Sequence, residues 1–407
     1  MRSLFPRGYP QDIWALFATS IISSVGFSVT MPYMSLYLNN VLHVPMTMVG
    51  IILMIALVIG STIGLYGGEL SDRLGRKYMM VRSLFARFFI FILIGIVISR
   101  WSNIFTIFFL LLSNSILFSF YAPASMAYVA DLTTEDKRIS AYGLLRMGGN
   151  FGWALGPALG GLLATINYAY LFFFTGFCML VAVFILLKFS RESLFTQHRP
   201  AALPGEKNGG SIKDILSAVK DRHFLIFTLI SFALFMVWGQ LVSPISVYSV
   251  NRIGLTKTQV GFLFSVNGFM VALFQYFITY LIPARKELTA LGVGSLIYAV
   301  GYFSIGFAGG FAFMVAAIAV ITIAEMVITP SGQTYAASIA DPKHRGRYLG
   351  FYNLSQTYGW AFGPLLGGIL LDTFPGRNIF IWSIISAVAV IAAVGFFFFK
   401  PKHNRPR

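Results

Sequence analysis

Residues 152–163 read GWALGPALGGLL and residues 359–370 read GWAFGPLLGGIL, two charge-free runs 207 residues apart and identical at nine of twelve positions. The same offset pairs Pro123 with Pro330, Tyr128 with Tyr335, Arg138 with Arg345 and Gly143 with Gly350. Composition alone would produce two glycine-rich helices. It would not produce a shared tryptophan and one common offset over more than twenty residues. The chain is a tandem of two copies of one unit.

What surrounds those runs decides the solvent. Charged residues are only 11% of the 407, apolar residues 57%, and the mean hydropathy is +0.77. A soluble domain carries roughly 25% charge, so this surface cannot be a water-facing one. Apolar stretches with few charges, long enough for the ~20 residues that cross a bilayer, predict twelve spans: 12–37, 46–69, 78–99, 103–129, 138–165, 168–189, 223–250, 257–282, 288–308, 310–338, 346–373 and 378–399. With the N-terminus inside, 24 of the 30 basic residues lie on cytoplasmic segments or span ends. That bias places both termini in the cytoplasm. It also accounts for most of the net charge of +16, so no nucleic-acid partner is required. One long polar stretch, 191–222, reads as a cytoplasmic linker, with Ile212–Val219 suited to an amphipathic surface helix. The expected domains are 1–190 and 223–407, each a six-helix bundle. Parallel repeats of this kind suit a secondary transporter with a midplane site.

At this point the chain resembles the major facilitator superfamily over essentially its whole length, and within it the twelve-helix bacterial drug:proton antiporters. Gly68-Glu-Leu-Ser-Asp72-Arg73-Leu-Gly75-Arg76-Lys77 is similar to the signature of that family's loop between helices 2 and 3. Gly152, Gly156, Pro157, Gly160 and Gly161 resemble its helix-5 antiporter motif, and Gly26-Phe-Ser-Val-Thr-Met-Pro32-Tyr adds a further likeness in the first span. The resemblance implies an all-α fold of two pseudo-symmetric bundles. It also implies a gating role for Gly68, Asp72, Arg73, Gly75, Arg76 and Lys77, with Arg73 or Arg76 paired to Asp131. The chain departs from the family in one place. The fourth span, where the family carries an arginine tied to proton coupling, has no basic residue between Leu111 and Pro123.

Three residues are candidates for proton coupling. Glu325 is the only acid far from both ends of its span, and Thr322 and Thr329 share its face. A carboxyl there can alternate between a neutral protonated form and a charged form beside a cation. Arg146 lies in the first half of the fifth span, with Asn150 one turn on, and Asp131 follows the fourth span. A charge at membrane depth is costly unless it faces a cavity or a partner. Arg87 in the third span reads instead as snorkelling to the nearby surface.

The expected cavity residues are Tyr33, Asn114, Tyr121, Asn150, Trp238, Gln240, Asn267, Gln275, Asn353 and Gln356. Aromatic and amide groups with few charges suit lipophilic substrates. The bland alternative for each is an interhelical hydrogen bond or a lipid contact. All five histidines (His43, His198, His223, His344, His403) fall in loops or at span ends, so no histidine relay is indicated. Cys178 alone supplies neither a disulfide nor a zinc site, and no P-loop supports ATP drive. No metal, no cofactor and no enzymatic activity are expected.

The expectation is thus a secondary transporter of the cell membrane that exports hydrophobic or amphipathic compounds against protons. Its partners are a small-molecule substrate, protons and membrane lipid, and it works as a monomer. Lipid flipping or nutrient uptake on the same fold is one rival reading. A non-transporting receptor or scaffold is another, and it would need neither the loop signature nor a buried acid.

Overall fold

The computed structural model describes residues 8–193, 217–283, 285–340 and 345–400. All regular structure in them is helical. The fourteen α-helices are α1 Gln11–Leu36, α2 Met46–Gly64, α3 Gly67–Leu74, α4 Arg76–Arg100, α5 Ile104–Leu132, α6 Glu135–Ile166, α7 Tyr168–Phe189, α8 Arg222–Trp238, α9 Pro244–Asn251, α10 Lys257–Leu281, α11 Glu287–Ile305, α12 Phe311–Ile339, α13 Arg345–Thr373 and α14 Asn378–Phe398. Among the described residues nine of these are long and apolar enough to cross a bilayer. The fifth and eleventh spans, α6 and α13, are 32 and 29 residues long. Glycine, amide and tyrosine side chains dilute their hydropathy. With the divided seventh span, α8–α9, they complete a twelve-span membrane fold.

Three boundaries differ from expectation, each for a local reason. The first span runs on to Val41 through a wide π-type turn, in which the Leu42 amide reaches back to the Tyr37 carbonyl at 3.2 Å. The second span stops at Gly64, and the loop signature is mostly a short helix of its own, α3. It is separated from α4 by Gly75, whose φ of +104° only glycine holds without strain. The seventh span is broken at Gly239–Ser243. Pro244, which has no amide proton to continue α8, opens α9 instead. Of the expected surface helix at 212–219, all but the end lies outside the described residues; Ser217–Lys220 is a single 3₁₀ turn.

Two compact units divide the chain: Met1–Tyr33 with Ile59–Glu206, and Met34–Val58 with Lys207–Arg407. In the first, α4 packs along α5 and α7. In the second, α11 lies on α12 and α14, and α8 on α13. Side-chain acceptors start several helices, as at Asn103 for α5, Asn167 for α7, Asp221 for α8 and the Thr256/Gln259 capping box of α10. The second unit also contains a carboxylate at the start of α2. Asp372, in the last turn of α13, accepts from the Met46 and Thr47 amides at 3.1 and 2.7 Å, and from the Thr47 hydroxyl at 2.7 Å. An anion there meets the positive end of the α2 dipole. The outward surface is apolar: Phe398, Tyr276 and Leu273 are 83%, 84% and 70% exposed. Only a hydrocarbon solvent makes such a surface inexpensive.

Candidate functional site

The loop signature builds a polar knot at one end of the first unit. Asp72 and Arg76, one turn apart, form an ion pair. Arg76 also reaches Asp131 from the last turn of α5, with Nε 3.4 Å from Oδ2, and donates to the Ser71 hydroxyl at 2.5 Å. Of the two arginines offered for Asp131, the structure uses Arg76. Ser193, just past α7, donates to the same Asp131 oxygen at 2.9 Å. Its neighbour Glu192 accepts from the Lys77 and Tyr78 amides at 2.9 and 3.1 Å, so its carboxylate caps the first turn of α4. Lys77 returns the favour to α7, donating Nζ to the Ser190 and Leu187 carbonyls at 2.5 and 3.2 Å. Asp12 completes the knot by accepting from the Tyr128 hydroxyl and the Arg191 amide at 2.8 and 2.7 Å.

The glycine-proline runs are contact stripes. On α1 the hydroxyls of Ser20, Ser24 and Ser28 are spaced one turn apart. They donate to the α6 carbonyls of Leu145, Gly149 and Gly152 at 3.3, 2.7 and 3.0 Å. Tyr33 continues the row to the Pro157 carbonyl at 2.8 Å. Gly152, Gly156 and Gly160 make this approach possible: a methyl on Gly156 would lie 2.8 Å from the Val25 carbonyl oxygen. The second unit repeats the device between α8 and α13. There Gln240 donates to the Gly363 carbonyl at 2.7 Å and Ser355 to the Thr228 carbonyl at 3.1 Å. Gly363 faces Gly239 so closely that a methyl on it would sit 2.6 Å from the Gly239 Cα. Small residues allow this backbone-to-backbone packing in lipid.

Glu325 lies half-buried in α12 of the second unit. Asn267 of α10 donates to its Oε2 at 3.0 Å and to the Thr322 hydroxyl at 2.9 Å, joining the three polar side chains in one cluster. Tyr298 and Tyr302 of α11 are buried within electrostatic reach of the carboxylate. The Tyr302 hydroxyl has no hydrogen-bond partner among the described residues.

Comparison with known proteins agrees with the architecture. The Major Facilitator Superfamily profile matches residues 16–323 and 254–407. The chain belongs to that superfamily. It is 24% identical to the multidrug resistance protein MdtH of Photorhabdus laumondii over 91% of this chain and 90% of that one. It is 25% identical to a Na(+), Li(+), K(+)/H(+) antiporter of Planococcus maritimus over 84% and 85% of the respective chains. A POT family transporter crystallised with 5-aminolevulinic acid superposes with a TM-score of 0.80 at 15% identity, covering 98% of both chains. At that identity the likeness is one of fold. This facilitator is a multi-pass membrane transporter of small molecules, not an enzyme.

The structure sorts the expected site residues of this facilitator into groups. Gly68 lies in α3 and Arg73 is exposed there, while Asp72, Gly75, Arg76, Lys77 and Asp131 meet in the knot. Glu325 and Asn267 are brought together. Tyr33 and Gln240 are buried in the two helix–helix stripes, Gln275 donates to the Met326 carbonyl at 3.0 Å, and Gly161 is buried. Trp238 packs against Trp360 with centroids 6.4 Å apart. Arg146 and Asn353, which hold corresponding positions of the repeat, are exposed, and Asn150 and Gln356 are half-buried. Tyr121 is buried beside Arg87. Arg87 corrects the sequence reading. It does not snorkel: it is 2% exposed and donates Nε to the Asn114 Oδ1 at 2.8 Å. Hydropathy places it near mid-depth but cannot show which way the side chain turns. Glu192, Ser193 and Asp372 escaped the sequence reading because their partners are distant in the chain.

Proposed function

We propose that this facilitator is a proton-coupled exporter of hydrophobic or amphipathic compounds in the cell membrane. It would act as a monomer, with both termini in the cytoplasm, and Glu325 would carry the proton. The observation behind this reading is the Glu325–Asn267–Thr322 cluster. A carboxylate near the middle of a membrane helix is costly. This one accepts from the Asn267 amide, and the buried Tyr298 and Tyr302 lie within its electrostatic reach. Such a group can take a proton and become neutral, or release it and stay charged while Asn267 donates to it. Alternating access would come from rocking of the six-helix bundles, with the Asp72–Arg76–Asp131 knot as the cytoplasmic lock. Similarity to a multidrug resistance protein and to a cation/proton antiporter supports the export reading. Arg146 and Asn150 on α6, and Asn353 and Gln356 on α13, are the polar side chains offered to substrate.

The test is transport in proteoliposomes under an imposed pH gradient, scanned over lipophilic cations, neutral drugs and lipids. Glu325→Gln should abolish substrate-driven proton movement while substrate binding survives. A variant that still pumps uphill at the wild-type rate removes Glu325 from the coupling role. Lipid flipping without response to pH would favour the flippase reading.

A further inference from the structure

Arg87 is the eleventh residue after the start of α4, about 16 Å along the axis at 1.5 Å per residue. That is mid-depth in a hydrocarbon core of about 30 Å. Its side chain is 2% exposed, and among the described residues it forms no ion pair. Arginine keeps its charge in proteins and presents five N–H donors. One of them, Nε, goes to Asn114. The rings of Phe91 and Phe118 lie 5.7 and 5.2 Å from the guanidinium carbon, and rings attract a cation without accepting its hydrogen bonds. Among the described residues neither Nη group donates to an acceptor. Because a guanidinium can only donate, Asn114 presents its oxygen to Arg87, and among the described residues its NH₂ meets no acceptor. Asn114 is half-buried and Phe118 is 49% exposed.

The repeat relates this place to the acid-bearing region of the second unit. At the 207-residue offset Phe91 corresponds to Tyr298 and Phe118 to Glu325. The position that holds an acid in the second unit is bounded in the first by a buried cation. A buried charge without a partner is destabilising unless something pairs with it.

We propose that Arg87 and Asn114 form a binding site for a carboxylate carried on an aromatic or apolar body. The Nη groups and the Asn114 amide hold the two oxygens, and Phe91 and Phe118 flank the body. A planar carboxylate matches the guanidinium fork. This deepens the transport reading and rests on it for the ligand being cargo.

Binding is measured on the detergent-purified full-length protein by calorimetry and thermal unfolding, with sodium benzoate as probe and uncharged benzamide as its isostere. Benzoate should bind and raise the unfolding midpoint, and benzamide should not. Arg87→Gln should lose benzoate binding by tenfold or more. Asn114→Asp places a carboxylate against Arg87 from within, so it should keep the fold and also lose benzoate binding by at least tenfold. Equal effects of benzoate and benzamide on the wild-type protein overturn the proposal. So does an Asn114→Asp protein that binds benzoate within twofold of wild type. Chloride that displaces benzoate at lower concentration reassigns the site to an inorganic anion and overturns the carboxylate. Absence of benzoate binding alongside intact proton-driven transport of other compounds sinks this site alone. Benzoate binding without transport of any compound sinks the transport reading alone.

Discussion

Side chains of the same type do different work in this facilitator, and their hydrogen-bond partners tell them apart. Asn267 aims its amide at the Glu325 carboxylate, whereas Gln240 and Tyr33 spend their donors on backbone carbonyls of the neighbouring helix. Removing Asn267 takes away the amide donor to the Glu325 carboxyl, worth about 1.5–3 kcal/mol when that group is ionised. Asn267→Ala should therefore slow proton-driven uphill transport by roughly tenfold or more, while equilibration of substrate down its own gradient survives. Flux assays with and without a pH gradient separate the two, and an unchanged uphill rate would detach Asn267 from coupling. Tyr33→Phe removes one neutral hydrogen bond and leaves the Pro157 carbonyl without its donor, a loss of about 1 kcal/mol. It should lower the unfolding temperature by a few degrees and leave the substrate range alone. If instead the range shifts and the unfolding temperature does not, Tyr33 belongs to the substrate cavity after all. Arg87 shows why residue type alone was insufficient. Its residue type and span favoured snorkelling, and only the direction of the side chain shows that it is buried.

Among the elements, the α1–α6 and α8–α13 pairs are the most legible in sequence and the most constrained in structure. Their glycine spacing permits a close approach of two helices, while the helix that each one meets is given by the fold. A methyl at Gly156 would meet the Ser28 hydroxyl and lie 2.8 Å from the Val25 carbonyl oxygen. Overpacking of this kind costs about 1–3 kcal/mol. Gly156→Ala should lower the unfolding temperature, and adding Ser28→Ala should restore part of the loss by emptying the space the methyl needs. Thermal unfolding of the two variants checks this; a single variant as stable as wild type would mean that α1 and α6 are not held at this distance. The break between α8 and α9 was less legible. Pro244 stood in the sequence, but the run 223–250 is charge-free throughout, and hydropathy counts residues without asking whether the backbone can stay helical. The α3 helix was missed for the opposite reason, since charged residues at close spacing look like a turn until Gly75 is seen to hold the only non-helical φ.

At the scale of the whole chain, the tandem repeat, the twelve spans and the loop signature were all readable, because a bilayer punishes every deviation from an apolar, internally bonded helix. The Asp131 pairing came only from the family resemblance, and the Asp12 and Glu192 partners were not readable, because they are set far from the side chains and amides that meet them and are chosen by packing. One consequence concerns the polar stretch after α7, which composition presents as a uniform tether. Its first residues are not tether. Glu192 caps the first turn of α4, and Ser193 donates to the Asp131 oxygen that Arg76 also approaches. Loss of a cap costs about 0.5–2 kcal/mol, here applied to the helix that follows Gly75 and the loop signature. Replacing Pro200–Gly210 by a Gly/Ser stretch of equal length should therefore leave transport near wild type. Glu192→Ala should loosen the start of α4, visible as faster amide exchange over Arg76–Met80, and reduce transport several-fold with membrane insertion intact. Double labels on α3 and the end of α5 would report the same loosening as a broader distance distribution. Equal transport by both variants would reduce the segment to the passive connection its composition suggests, and loss of transport on replacing Pro200–Gly210 would extend the functional part of the linker beyond Ser193.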